Sequence, residues 1–136
     1  MNNRQLHRII QDFTGTVDGG IGHWTLIVKD VEMSCISDEL HNRMRLIAPI
    51  TSIKEMKVGQ MKKCMEANFH TALDVKYSFS KGQLFGVYIH PLKELTESQF
   101  KDGLRQLFSI VKTYDTTYSG GELKYPTENE FKTGLN

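Results

Sequence analysis

The sequence predicts an α+β domain: one antiparallel five-stranded sheet with three helices, in the order α-β-β-β-α-β-β-α. Apolar residues recur every three to four positions in three segments and at alternate positions in five others. The alternating runs are joined by short polar turns, which antiparallel neighbours permit. The chain has 136 residues, 39% of them hydrophobic, enough for one core and too few for two ordinary ones.

The first helix follows from Leu6, Ile9, Ile10 and Phe13, an apolar face at helical spacing. Residues 15–22 hold Gly15, Gly19, Gly20 and Gly22 and read as a flexible connector. The first strand spans His23 to Lys29, with Trp24, Leu26 and Val28 on one face. The second, Val31 to Ile36, places Val31, Met33 and Cys35 together. The third runs from Arg43 to Ile50, with Met44, Leu46, Ala48 and Ile50 opposite Arg43 and Arg45. Pro49 lacks an N–H, which leaves the end of that strand unpaired on one side. Residues 57–72 change period: Val58, Met61, Met65, Phe69 and Ala72 give a helix, weakened by Gly59. The fourth strand is read from Leu73, Val75, Tyr77 and Phe79, and the fifth from Leu84 to Ile89. This last strand is apolar on both sides, Leu84 and Tyr88 against Phe85, Val87 and Ile89. A strand buried on one face only does not read that way. Thr96 and Gln99 form a capping-box pattern before the third helix, whose stripe runs from Phe100 through Leu104, Leu107, Phe108, Val111 and Tyr114 to Tyr118. One domain is therefore expected over residues 1–121, followed by a polar, flexible tail at 122–136.

Composition excludes several functions. Seventeen basic residues against sixteen acidic ones produce no field that would draw nucleic acid. The longest apolar run, Leu46 to Ile50, is far short of the roughly 20 residues a bilayer span needs. No secretory signal is visible at the N-terminus, so a cytoplasmic location is expected, with Cys35 and Cys64 as reduced thiols.

Several local motifs, with the order of elements, resemble a known family. These are Asp38-Glu39-Leu40-His41-Asn42-Arg43-Met44-Arg45, then Ala67-Asn68-Phe69, then a strand pair ending in His90-Pro91-Leu92. Over about residues 3–119 the chain resembles the type III secretion chaperones of the Tir-chaperone kind and their YbjN-like relatives. The resemblance implies a non-enzymatic homodimer whose middle helix contributes to the dimer contact, and which holds an unfolded polypeptide segment along apolar patches. The chain departs from the secretion chaperones in charge: they tend to be acidic, and this chain is balanced.

The candidate sites divide accordingly. His7, His23, His41, His70 and His90 show no zinc-ligand spacing, and no metal or cofactor is expected. Cys35 and Cys64 have no base beside them in sequence and read as small buried residues, not nucleophiles. The glycine-rich stretch lacks the Gly-Lys-Ser/Thr end of a phosphate loop and follows a helix instead of a strand. Arg43 and Arg45 share a face and offer either an anion site or ion pairs with Glu32 or Asp74, of which the pairs are the more ordinary outcome. The soft methionine face of the middle helix serves either as core or as an adaptable contact. The two-sided final strand and the resemblance favour the contact. Val58, Met61, Met65 and Phe69 are thus the expected dimer interface. Phe85, Val87 and Ile89 form the expected partner-binding surface, and Trp24 either joins it or fills the core. The alternative is a small-molecule or sensory domain of YbjN-like type, with a pocket between sheet and helices drawn from His23, Arg45, Asp74 and Tyr77.

Overall fold

The computed structural model describes residues 1–13 and 17–121, and in it the alternating segments form a single antiparallel sheet. Its strands are β1 (Val17–Gly20), β2 (His23–Val28), β3 (Val31–Asp38), β4 (Arg43–Ser52), β5 (Lys76–Ser80) and β6 (Gln83–His90). They are arranged β1-β2-β3-β4-β6-β5. Helix α1 (Asn3–Phe13) precedes the sheet. Helix α2 (Val58–Phe69) follows β4 after a 3-10 turn at Ile53–Glu55, and α3 (Glu97–Lys112) follows β6.

Alternation decides which face is covered. Trp24, Leu26, Met33, Cys35, Met44, Leu46, Ala48, Leu84 and Tyr88 are all buried on one side of the sheet. Onto them close Leu6 and Ile10 of α1 and Phe100, Leu104, Leu107 and Ile110 of α3. The capping box read from the sequence is present: Thr96 Oγ1 accepts from the Gln99 N–H at 3.1 Å, and Gln99 Oε1 from the Thr96 N–H at 2.9 Å. Two glycines set how closely α3 approaches. A Cβ on Gly86 would lie 2.8 Å from Ile110 Cγ2 and Leu107 Cδ1, and one on Gly103 would lie 2.8 Å from the Tyr88 ring. Trp24 donates its indole N–H to His7 Nδ1 at 2.8 Å, which fixes α1 against β2.

The sheet has six strands, not five. The additional strand, β1, lies inside the glycine-rich stretch expected to be a connector. It pairs with β2 through Val17↔Leu26, Asp18↔Thr25, Gly19↔Trp24 and Gly20↔His23. Gly19 and Gly22 sit at φ +94° and +97°, and a Cβ on Gly19 would lie 2.5 Å from the His23 carbonyl oxygen. Glycine is required where this hairpin closes, and residues without side chains leave no alternation to read. The strand read from Leu73 begins later, at Lys76. Leu73 is left-handed at φ 64°, and the Asp74 N–H is held by Gln106 Oε1 at 3.0 Å, so the chain there turns toward α3. Tyr114 and Tyr118 stand in turns beyond the end of α3 at Lys112. They complete a ring cluster with Tyr77, at centroid distances of 5.8–6.3 Å. Pro49 behaves as its missing N–H requires: it pairs only with β6, beside a register shift, and the pairing of β3 with β4 ends at Ile47. The expected tail at 122–136 lies outside the described residues. Among the described residues no helix is long and apolar enough to cross a membrane.

Candidate functional site

Helix α2 packs on the rest of the protein by a narrow stripe, burying only Cys64 and Ala67. Asn68 fixes it to the sheet edge. Its side-chain Nδ2 donates to the Tyr77 carbonyl at 3.0 Å, and its Oδ1 accepts from the Tyr77 N–H at 2.8 Å. The amide thereby pairs with edge strand β5 as a neighbouring strand would. On the opposite side of the helix Val58, Met65 and Phe69 are 84%, 67% and 84% exposed. They stand at helical spacing on one face, and Met61 beside them is half-buried. Three of the four residues expected at the dimer contact thus form an apolar stripe facing away from the core.

The second candidate surface is the sheet face opposite the helices. Phe85 and Val87 are half-buried there, and Ile89 is 51% exposed. Ladder register extends the surface across three strands: Ile36↔Arg45↔Ile89 forms one row and Ser34↔Ile47↔Val87 the next. Exposed Ile27 and Ile36 and half-buried Ile47 belong to this face. The signal for them was present, since each isoleucine is out of phase with the core positions of its strand. Trp24 does not belong to it. It is wholly buried beneath α1, so the groove-wall reading is corrected to core.

Arg43 and Arg45 line a hollow of about 410 Å³ on the same face, with Ile36, Asp38, His41 and Ile89. Neither makes the ion pair expected with Glu32 or Asp74. Arg43 donates to the Asn42 carbonyl at 2.8 Å, and the Arg45 guanidinium has no hydrogen-bond partner among the described residues. The run containing them is chiefly turn architecture. Asp38 accepts from the His41 N–H at 3.1 Å and bonds its ring at 2.7 Å. The His41 backbone N–H, then its ring, hold the Asp38 carboxyl below the ordinary carboxylate range. Asn42, left-handed at φ 55°, accepts from the Lys93 N–H at 2.7 Å.

The thiols are poor nucleophiles. Burial pushes Cys35 well above the usual thiol range and Cys64 up to about 11. The four residues proposed for a pocket between sheet and helices are not brought together. His23 is exposed, Arg45 lies on the outer face, and Tyr77 is buried with its hydroxyl donating to the Ile110 carbonyl at 3.1 Å. Asp74 lines a cleft beside α3, with other partners. Among the described residues no three His, Cys, Asp or Glu side chains are placed to hold a metal ion.

No family profile and no curated protein matches the sequence. Solved structures do match. A chain of the ExsC–ExsE complex superposes with a TM-score of 0.65 at 17% identity, covering 84% of this chain and 94% of that one. A chain from the complex of the Yersinia pestis type III secretion chaperone SycH with a fragment of YscM2 gives 0.63 at 10% identity, covering 82% and 98%. The fold is that of the type III secretion chaperones. YbjN from E. coli shares this chaperone-like fold, at 0.58 and 15% identity over 81% of this chain and 89% of that one. The resemblance read from the motifs and the element order thus holds at the level of fold.

Proposed function

We propose that this chain is a non-enzymatic, cytoplasmic polypeptide-binding protein. Two copies associate through the α2 stripe, and each holds an extended segment of another polypeptide against its outer sheet face. The observation that carries the reading is that face: a row of Phe85, Val87 and Ile89, widened by Ile36 and Ile47, on the side of the sheet away from the helices. Water contact with such a surface is unfavourable by roughly 25 cal/mol per Å² of apolar area, which an extended apolar segment would relieve. Strand-edge hydrogen bonds would add register. On the β5 side Asn68 already occupies the Tyr77 groups, which leaves Phe79 and the β1 edge as the available backbone. The structural neighbours support the reading, because ExsC and SycH are seen in complex with ExsE and a fragment of YscM2.

The test uses reduced, carboxymethylated α-lactalbumin, a permanently unfolded chain, labelled for fluorescence anisotropy. The unaltered protein binds it saturably, and Ile89→Glu or Val87→Glu weakens binding about tenfold or more, as a charge in an apolar contact should. Lys101→Gln on α3, remote from this face, leaves it unchanged. Equal binding by Ile89→Glu and the unaltered protein would overturn the assignment.

A further inference from the structure

Arg45 stands inside the apolar part of the outer sheet face. In its ladder row it lies between Ile36 on β3 and Ile89 on β6, and the next outward residue along β4 is Ile47. Side chains opposite one another across neighbouring strands are about 5 Å apart, so isoleucines wall the arginine on three sides. Arg43, two residues earlier on β4, shares its hollow.

Among the described residues no carboxylate pairs with the Arg45 guanidinium and no hydrogen bond satisfies it. Asp38 lines the same hollow, but its carboxyl accepts from the His41 N–H at 3.1 Å and bonds the His41 ring at 2.7 Å. Glu32 stands four residues from Ile36 along β3, about 13 Å away at the rise of a strand. Arg43 donates to the Asn42 carbonyl at 2.8 Å and makes no ion pair with a described residue. The hollow therefore holds two guanidiniums against one carboxylate, and that carboxylate is engaged by His41.

On the open face water solvates Arg45, which is exposed. A segment that covers Ile36, Ile47 and Ile89 lies over Arg45 as well and strips that water away. The cost of covering an unpaired cation offsets what covering the isoleucines returns. A carboxylate placed there removes the cost, because the planar guanidinium presents paired N–H donors to both of its oxygens.

We propose that the polypeptide segment held on this face sets an aspartate or glutamate side chain over Arg45, between apolar residues that cover Ile36, Ile47 and Ile89. The proposal rests on the reading of the outer sheet face as the polypeptide-binding surface, and it adds the chemistry of the occupant. Alternate residues of an extended segment point the same way, so the acidic position and its apolar neighbours stand two residues apart. The carboxylate belongs to a side chain and not to a chain end, because a segment reaching the isoleucines on both sides of Arg45 passes over it.

The test is fluorescence anisotropy with three labelled peptides, Ser-Val-Ser-Ile-Ser-X-Ser-Ile-Ser-Val-Ser, in which X is Glu, Gln or Lys. The Glu peptide binds the unaltered protein about tenfold or more tightly than the Gln peptide, the gain for a charge-assisted pair, and the Lys peptide binds more weakly than either. In Arg45→Gln the Glu and Gln peptides bind within about twofold of each other. In Arg45→Glu the order reverses and the Lys peptide binds more tightly than the Glu peptide, which a damaged fold would not produce. Arg45 makes no contact that holds the fold, and thermal melts confirm that both variants are folded. No preference for the Glu peptide in the unaltered protein, or the same preference retained in Arg45→Gln, would overturn the proposal. The polypeptide-binding reading survives that result if Ile89→Glu still weakens the binding of unfolded α-lactalbumin. Absence of α-lactalbumin binding to the unaltered protein would overturn both.

Discussion

Replacing Gly86 by alanine tests how α3 meets the sheet. The new methyl carbon would stand 2.8 Å from both Ile110 Cγ2 and Leu107 Cδ1, about an ångström inside ordinary carbon contact. Both side chains are fully buried, so they yield only by disturbing a filled core. Overpacking of this kind costs about 1–3 kcal/mol. Alanine returns about 0.4–1 kcal/mol by restricting the unfolded chain, because the backbone at Gly86 is not left-handed. The net expectation is a loss of about 1–2 kcal/mol. With a urea slope of about 2 kcal/mol/M, the denaturation midpoint falls by about 0.5–1 M. The measurement holds protein concentration fixed, because self-association would shift it. Gly59→Ala is the internal reference. Nothing lies within 4 Å of a Cβ there, near the start of α2, so the midpoint stays level or rises by up to about 0.5 kcal/mol worth of stability. A midpoint for Gly86→Ala at or above that of the unaltered protein would refute the packing described for α3.

Three further outcomes follow from the same interior. His7→Ala leaves the fully buried Trp24 indole without its acceptor and costs about 1–3 kcal/mol in urea denaturation. In Trp24→Phe the further loss on removing His7 is smaller, and equal losses in the two backgrounds would contradict the bond. Ellman's reagent at mildly alkaline pH labels the folded protein slowly and the unfolded protein at once, with Cys64 reacting before Cys35, whose burial pushes its thiol higher. Tyr77 and Tyr118 are pushed upward chiefly by burial, Tyr118 to about 12, so the folded state holds these protons more tightly than the unfolded chain. Their contribution is complete below the ordinary tyrosine pKa of about 10 and is lost as pH rises through 10 toward 12. Phenolate absorbance from Tyr77 and Tyr118 should therefore appear together with unfolding in that range. Gradual ionisation of Tyr77 and Tyr118 in a folded protein would contradict it.

The parts of the fold legible in the sequence were those where side chains alternate or recur. Trp24-Leu26, Met33-Cys35 and Met44-Leu46-Ala48 declared their strands and their buried face, and Thr96 with Gln99 declared the start of α3. What was illegible lay where backbone decides. Strand β1 is built on Gly19 and Gly20, which carry no pattern, and Leu73 looked like a strand residue while its left-handed backbone turns the chain away. For the surfaces, the isoleucine phase of β2, β3 and β4 was readable. The alternation put Trp24 on the same face as Leu26 but did not say that α1 covers it, which left a groove wall and a core both open. The cluster around Gln106 was least readable. Asp74, Tyr88, Asp102 and Gln106 come from three separate elements, and Gly103 reveals its purpose only when the Tyr88 ring is seen across it.

Sedimentation equilibrium bears most directly on the proposed assembly. The chain mass is 15.6 kDa. An apolar helix face closed by a second copy predicts twice that mass at micromolar concentration, an interface above about 1,000 Å², and reversion to the single-chain mass in Met65→Glu with an unchanged far-ultraviolet spectrum. A single-chain mass for the unaltered protein at every concentration, or a Met65→Glu variant that keeps the doubled mass, would contradict it.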